Sequence, residues 1–137
     1  MQSNTKEQTL VLIKPDAVQR RLIGEIIARF EKKGLDIIKL QMMTVNREMA
    51  EKHYAEHKGK PFYDRLINFI TSAPLVAMVV EGERAINIVR KMCGATDSAV
   101  AEPGTIRGDY SISNSLNIVH SSDSSTSAER EIGIFFS

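Results

Sequence analysis

The chain has 137 residues, 42% of them hydrophobic and 26% charged, the make-up of one globular domain over residues 1–137. Its formal net charge of +1 excludes broad electrostatic adhesion to nucleic acid or to an anionic membrane and leaves only a local basic pocket open. One cysteine, Cys93, excludes an intrachain disulfide and a paired-cysteine zinc cage; the polar start Met1–Gln8 and the lack of any run near the ~20 apolar residues of a membrane span point to a cytoplasmic protein.

In chain order, Thr9–Lys14 is short, β-branched and apolar, which predicts a central strand closed by Pro15. Leu22, Ile23, Ile26, Ile27 and Phe30 recur at helical spacing, with Lys32 and Lys33 in the last turn and Gly34 as the stop. A second strand is predicted over Leu35–Val45. Two helices follow, Glu48–Glu56 and Tyr63–Ile70, broken by Gly59-Lys60-Pro61. His53 and His57 fall on a polar face of the first and are expected to be solvated. Leu75–Val80 is a third strand and Arg84–Met92 a helix that Gly94 ends. Ala95–Leu116 reads as mostly irregular, and a loop of about twenty residues in a small domain is usually functional. Asn117–Val119 predicts a short fourth strand and Thr126–Phe135 the last helix, with Thr126 and Glu129 spaced as a capping box. This order fits an α/β sandwich of the ferredoxin-like βαββαβ kind, with a four-stranded antiparallel sheet, extra helices and a long loop before the last strand.

Two groups of residues carry chemistry. In Asn117–Ser124 an apolar pair delivers His120 into a run of small polar residues, and Glu131 in the following helix can turn a carboxylate back toward the imidazole. A histidine with a hydroxyl and a carboxylate at hand is a candidate nucleophile. It attacks in its neutral form, and the carboxylate favours the positive charge that attack puts on the ring. The second group is Lys14 at a strand end, Arg90 on a helix, Thr96 in the turn after Gly94, and Arg107 between Gly104 and Gly108. Three cations and a hydroxyl drawn from separate elements are the parts of a polyphosphate clamp. The chain has no G-x-x-x-x-G-K-[ST] loop, no G-x-G-x-x-G and none of the H-R-D and D-F-G motifs, so its nucleotide chemistry needs another scaffold.

Four motifs stand in order along the chain: Lys14-Pro15-Asp16-Ala17, then Tyr54-Ala55-Glu56-His57-Lys58-Gly59-Lys60-Pro61-Phe62, then Gly104-Thr105-Ile106-Arg107-Gly108-Asp109, then Asn117–Ser124. With all four, from about Thr9 to Phe136, the chain closely resembles the nucleoside diphosphate kinases. The resemblance implies ping-pong transfer of the γ-phosphate of a nucleoside triphosphate (ATP typically, GTP also) to nucleoside and deoxynucleoside diphosphates through a phosphohistidine. It places the nucleophile at His120, phosphorylated on the pros nitrogen; the residues alone leave the nitrogen open. It implies that Glu131 and Ser122 orient the imidazole, and that Lys14, Tyr54, Arg107 and Asn117 surround the transferred phosphate and the sugar hydroxyls. Arg90 and Thr96 would meet the inner phosphates, and Phe62 would stack on the base. Mg²⁺ is the implied cofactor, held mainly by the nucleotide phosphates with no side-chain ligand assigned. A homo-oligomer is implied, a hexamer with a tetramer as the alternative.

One departure stands next to the nucleophile, where Ser121 replaces the usual glycine without removing a catalytic group. Two rival readings fit less well. A non-catalytic regulatory domain on this fold would have lost His120, Lys14 or Arg107. A nucleic-acid binder of RRM type needs strand aromatics that Thr9–Lys14 and Leu75–Val80 lack.

Overall fold

The computed structural model describes residues 6–137, so the first five residues of the polar start lie outside the described residues. Strand β1 (Lys6–Ile13) is buried from Thr9 onward, as its run of large apolar side chains requires. It sits inside a four-stranded antiparallel sheet of order β2-β3-β1-β4, with β2 at Asp36–Met43, β3 at Leu75–Glu83 and β4 at Val119–Ser121. This is the split βαβ arrangement expected from the element order.

Alternation along β1 sorts two cores. Val11 and Ile13 pack with Ile26 and Phe30 of α2 (Ile23–Lys33) and Val89 of α5 (Ala85–Cys93). Leu10 and Leu12 face the opposite layer. There they meet Ala50 of α3 (Arg47–His53), Ile67 of α4 (Tyr63–Ile70) and Phe135 of α7 (Ser125–Phe135). His120 is the register partner of Leu12, so its imidazole emerges on the α3–α4–α7 side, while Val119 joins the other core.

The elements differ from expectation in five places. A short helix, α1 (Pro15–Gln19), follows β1 directly, with Lys14 at its N-cap and Pro15 in its first turn, where proline's fixed φ suits a helix start. The segment before β4 is not irregular throughout. It holds α6 (Ile106–Tyr110), capped by the Thr105 hydroxyl, which accepts from the Gly108 amide. The predicted helix over 48–56 stops at His53 and gives way to a 3₁₀ turn at Ala55–His57. Finally, β4 is Val119–Ser121 rather than Asn117–Val119, and α7 is capped by Ser124 accepting from the Ser127 amide; Thr126 already lies inside the helix, so the Thr126–Glu129 box does not form.

The shift of β4 has a physical cause in Ile118, whose φ of +62° interrupts the extended backbone. A left-handed conformation costs a side-chain-bearing residue roughly 1–2 kcal/mol. Three things hold it: the Ile118 amide donates to Asp16 Oδ2 (3.2 Å), its carbonyl accepts from the Lys14 amide (2.9 Å), and its side chain is fully buried. Among the described residues no helix is long and apolar enough to cross a membrane.

Candidate active site

His120 stands at the centre of β4 with a quarter of its side chain exposed (25%). Its Nε2 lies 2.9 Å from Oε1 of Glu131, a buried carboxylate on the third turn of α7. The Ser122 hydroxyl donates to the same oxygen at 2.8 Å and accepts from the Leu10 amide at 3.2 Å, which ties the pair to the central strand. Burial pushes the Glu131 carboxyl up, but hydrogen bonds from His120 and Ser122 and the Arg130 guanidinium bring it below the usual range, so it stays ionised. With Nε2 facing that carboxylate, Nδ1 makes no hydrogen bond among the described residues.

A cationic cluster lies beside the ring. Lys14 Nζ donates to Asn117 Oδ1 at 2.8 Å, and the Asn117 amide reaches the Thr96 carbonyl at 3.4 Å. Enclosure of the ammonium, with Arg107 as the next cause, lowers the Lys14 pKa to about 8. Arg107 is itself lowered, by burial and then by Arg90, against the opposing pull of Cys93. Asp16 pulls the Lys14 pKa back up without forming an ion pair with it among the described residues, so the cluster keeps a positive field that suits an incoming anion.

Arg107 has a second occupation that the sequence did not disclose. Its guanidinium donates to the carbonyls of Asn117 (3.3 Å), Gly94 (2.7 Å) and Val119 (2.7 Å), so two of its N–H groups hold the segment that enters β4 and a third ties it to the end of α5. The glycines around it let this happen. Gly94 has φ +88°, and a Cβ there would strike Thr105; a Cβ on Gly108 would strike the Glu102 carbonyl. Arg90 is exposed, with Nη1 3.4 Å from the Ser121 carbonyl, and Thr96 is exposed on the facing loop. A concavity of about 500 Å³ lined by Arg90, Gly94 and Thr105 opens there.

Tyr54 is buried at the end of α3, and its hydroxyl is pushed up to about 12 by burial and by Glu131, so it remains a hydrogen-bond donor. Phe62, at the N-cap of α4, is 36% exposed, with the His57 ring 5.4 Å away and Lys60 Nζ 5.9 Å from its centroid. His57 is half-buried, 3.3 Å from Lys60 Nζ.

His53 overturns the expectation that it is solvated. It is only 4% exposed, packed edge-on 4.7 Å from the His120 ring and 4.6 Å from Tyr54. The signal was available in the spacing, because Ala50, His53 and Tyr54 stand at i, i+3 and i+4 and all turn inward. The structure thus brings His120, Glu131, Ser122, Tyr54 and Lys14–Asn117 to one surface, with Arg107 beneath and Arg90 and Thr96 at one side. Ser121, in extended backbone, has no positive φ and does not require glycine.

Comparison with known proteins gives one answer. The family model for nucleoside diphosphate kinase matches residues 7–137. The nucleoside diphosphate kinase of Methanocaldococcus jannaschii is 62% identical over 96% of this chain and 94% of its own length, and that of Pyrococcus furiosus is 61% identical over 97% and 84%. Among solved structures, a halophilic nucleoside diphosphate kinase from Halobacterium salinarum in complex with CDP superposes with a TM-score of 0.94 at 50% identity, covering 96% of this chain and 88% of that one. An apo nucleoside diphosphate kinase from Encephalitozoon cuniculi gives 0.93 at 42% identity, over 95% and 88%. Four strands in the expected order, a histidine–carboxylate pair beside paired cations, and a match over nearly the whole length agree: the chain belongs to the nucleoside diphosphate kinase family.

Proposed function

We propose that this kinase works by a ping-pong relay through a phosphohistidine on His120. The observation that carries the reading is the 2.9 Å contact between His120 Nε2 and the buried Glu131 carboxylate, which leaves Nδ1, the pros nitrogen, free to attack. In the first half-reaction the Nδ1 lone pair attacks the γ-phosphorus in line. The bond to the bridging oxygen breaks, and its electron pair leaves with the β-phosphate of the nucleoside diphosphate. Glu131 balances the positive charge that the ring acquires, and Ser122 holds the carboxylate in place. In the second half-reaction a terminal oxygen of a different nucleoside diphosphate attacks the same phosphorus, and the P–N bond breaks to return neutral histidine.

Lys14 and Arg107 stabilise charge on the phosphoryl oxygens, with Asn117 aiming the lysine; Arg90 and Thr96 take the inner phosphates, and Tyr54 donates from its un-ionised hydroxyl. Phe62 offers one face for stacking, worth roughly 1–3 kcal/mol whatever the base, which suits ATP, GTP and both ribo and deoxy diphosphates as substrates. Beside His120 the described residues offer the His53 imidazole and the Glu131 carboxylate, which is already engaged, so an ion that demands several oxygen ligands finds no protein cage among them. Mg²⁺ would fit as a cofactor carried on the nucleotide phosphates, with no side chain assigned to hold it, and would supply charge neutralisation during transfer. Residues 1–137 act as one catalytic domain in the cytoplasm.

Assembly as a homo-oligomer is supported by two separate apolar surfaces. Edge strand β2 pairs only with β3 and exposes Leu40 (53%) and Met42 (55%) on one face of its pleat; Ile112 and Leu116 are exposed on the segment before β4. A hexamer, with a tetramer as the alternative, follows the family resemblance, and either assembly uses two distinct interfaces. The relay is tested by initial-rate kinetics. Double-reciprocal plots at several fixed diphosphate concentrations are expected to be parallel, and intersecting lines with a fully active His120→Ala protein would refute the phosphohistidine.

A further inference from the structure

His53 has a peculiarity that the relay does not use. It is buried, and neither Nδ1 nor Nε2 is hydrogen-bonded to any described residue. Buried polar atoms without partners are rare and unfavourable, and a ligand that bonded one of them would remove the penalty. One ligand atom from each of His53, His120 and Glu131 lies within 4.8 Å of the other two.

We propose that His53, His120 and Glu131 form a binding site for a borderline divalent metal ion, Zn²⁺ or Co²⁺, whose occupation seizes the His120 imidazole and blocks phosphoryl transfer. The binding half stands on geometry alone; the inhibitory half rests on His120 being the nucleophile.

Two imidazoles and a carboxylate are a donor set for Zn²⁺ and its neighbours, whereas Mg²⁺ prefers oxygen and keeps its waters. The set is therefore blind to the cation that accompanies the nucleotide. A neutral imidazole offers a lone pair, and neither His53 nitrogen is spent on another described residue. Glu131 supplies the negative charge, and the exposed side of His120 leaves a coordination position open to water. Bonds of about 2.0–2.1 Å around a tetrahedral ion require ligand atoms roughly 3.4 Å apart. Binding therefore requires the longest edge to close by on the order of 1 Å. Lys14 and Arg130 face His53 and oppose a dication, so binding is expected near micromolar rather than nanomolar.

The test uses the nucleotide-free, full-length enzyme in excess Mg²⁺. Calorimetric titration with ZnCl₂ should give one ion per chain, and Co²⁺ should give a four-coordinate visible absorption band. His53→Gln should weaken both by at least about tenfold, while His57→Gln should leave them unchanged. Since His53→Gln can disturb folding, wild-type NMR supplies a second readout: Co²⁺ should broaden the ring protons of His53 and His120 before those of His57. Absence of binding at ~100 μM, equal affinity in His53→Gln, or first broadening at His57 overturns the site and leaves the relay intact. Saturating Zn²⁺ that occupies the site without slowing ATP-dependent labelling of the protein overturns the inhibitory half.

Discussion

Near His120, the Lys14 ammonium changes its charge in the mildly alkaline range. With its pKa lowered to about 8 by enclosure and by Arg107, it loses its proton as pH rises through that value. We expect kcat/KM for ATP, which reports the free enzyme, to fall on the alkaline side of about 8, and Lys14→Arg to abolish that limb because a guanidinium stays protonated. Stability should run the opposite way. The unfolded lysine keeps its proton to its ordinary value of 10.5, so between about 8 and 10.5 the unfolded state binds more protons and this residue's contribution to stability rises with pH. A wild-type rate profile flat to pH ~10 contradicts the assignment. Glu131→Gln removes a charged hydrogen-bond partner worth roughly 1.5–3 kcal/mol, so single-turnover phosphoenzyme formation should slow by about ten- to a hundredfold. Ser121→Gly should change turnover by less than about tenfold, since the extended backbone at Ser121 has no need of glycine; a hundredfold gain would show that the serine impairs the site.

At the scale of elements, the strand that carries His120 is set by a contact with the first motif. Asp16 accepts from the Ile118 amide and holds the left-handed residue immediately before β4. Asp16→Ala leaves that buried N–H unpaired, and chemical denaturation should reveal a loss of about 1–3 kcal/mol; a change below ~0.5 kcal/mol would mean that packing alone holds the turn. This contact explains why the end of the chain was the hardest part to read. Periodicity and β-branching located β1, α2, α4 and β3 to within a few residues, because each buries one continuous face. The fourth strand was misplaced because an isoleucine at positive φ defies local propensity, and what overrides it comes from Asp16, far away in sequence. His53 was misread because a histidine among Glu51, Lys52 and Glu56 looks polar, although its spacing from Ala50 and Tyr54 turns it inward. The capping of α7 was misread by two residues because Ser124, Ser125 and Thr126 are all competent caps, and sequence cannot choose among them. His120, Glu131 and Ser122 were legible through the motif; the bracing of β4 by Arg107 was not, since hydrogen bonds to carbonyls leave no mark in sequence.

For the whole molecule, the exposed edge of β2 and the apolar residues before β4 are the surfaces on which the proposed assembly is tested. Light scattering at micromolar concentration should give the mass of a hexamer, or failing that a tetramer. Leu40→Asp and Ile112→Asp should each yield smaller particles by breaking different contacts; a wild-type monomer would refute assembly. The relay itself is tested most directly by trapping its intermediate. The enzyme is incubated with γ-labelled ATP without acceptor, separated from nucleotide, and treated with acid or alkali. The label should be acid-labile and alkali-stable, should leave on addition of any nucleoside diphosphate, and should be absent from His120→Ala. An acid-stable label, or equal labelling of His120→Ala, would contradict the account.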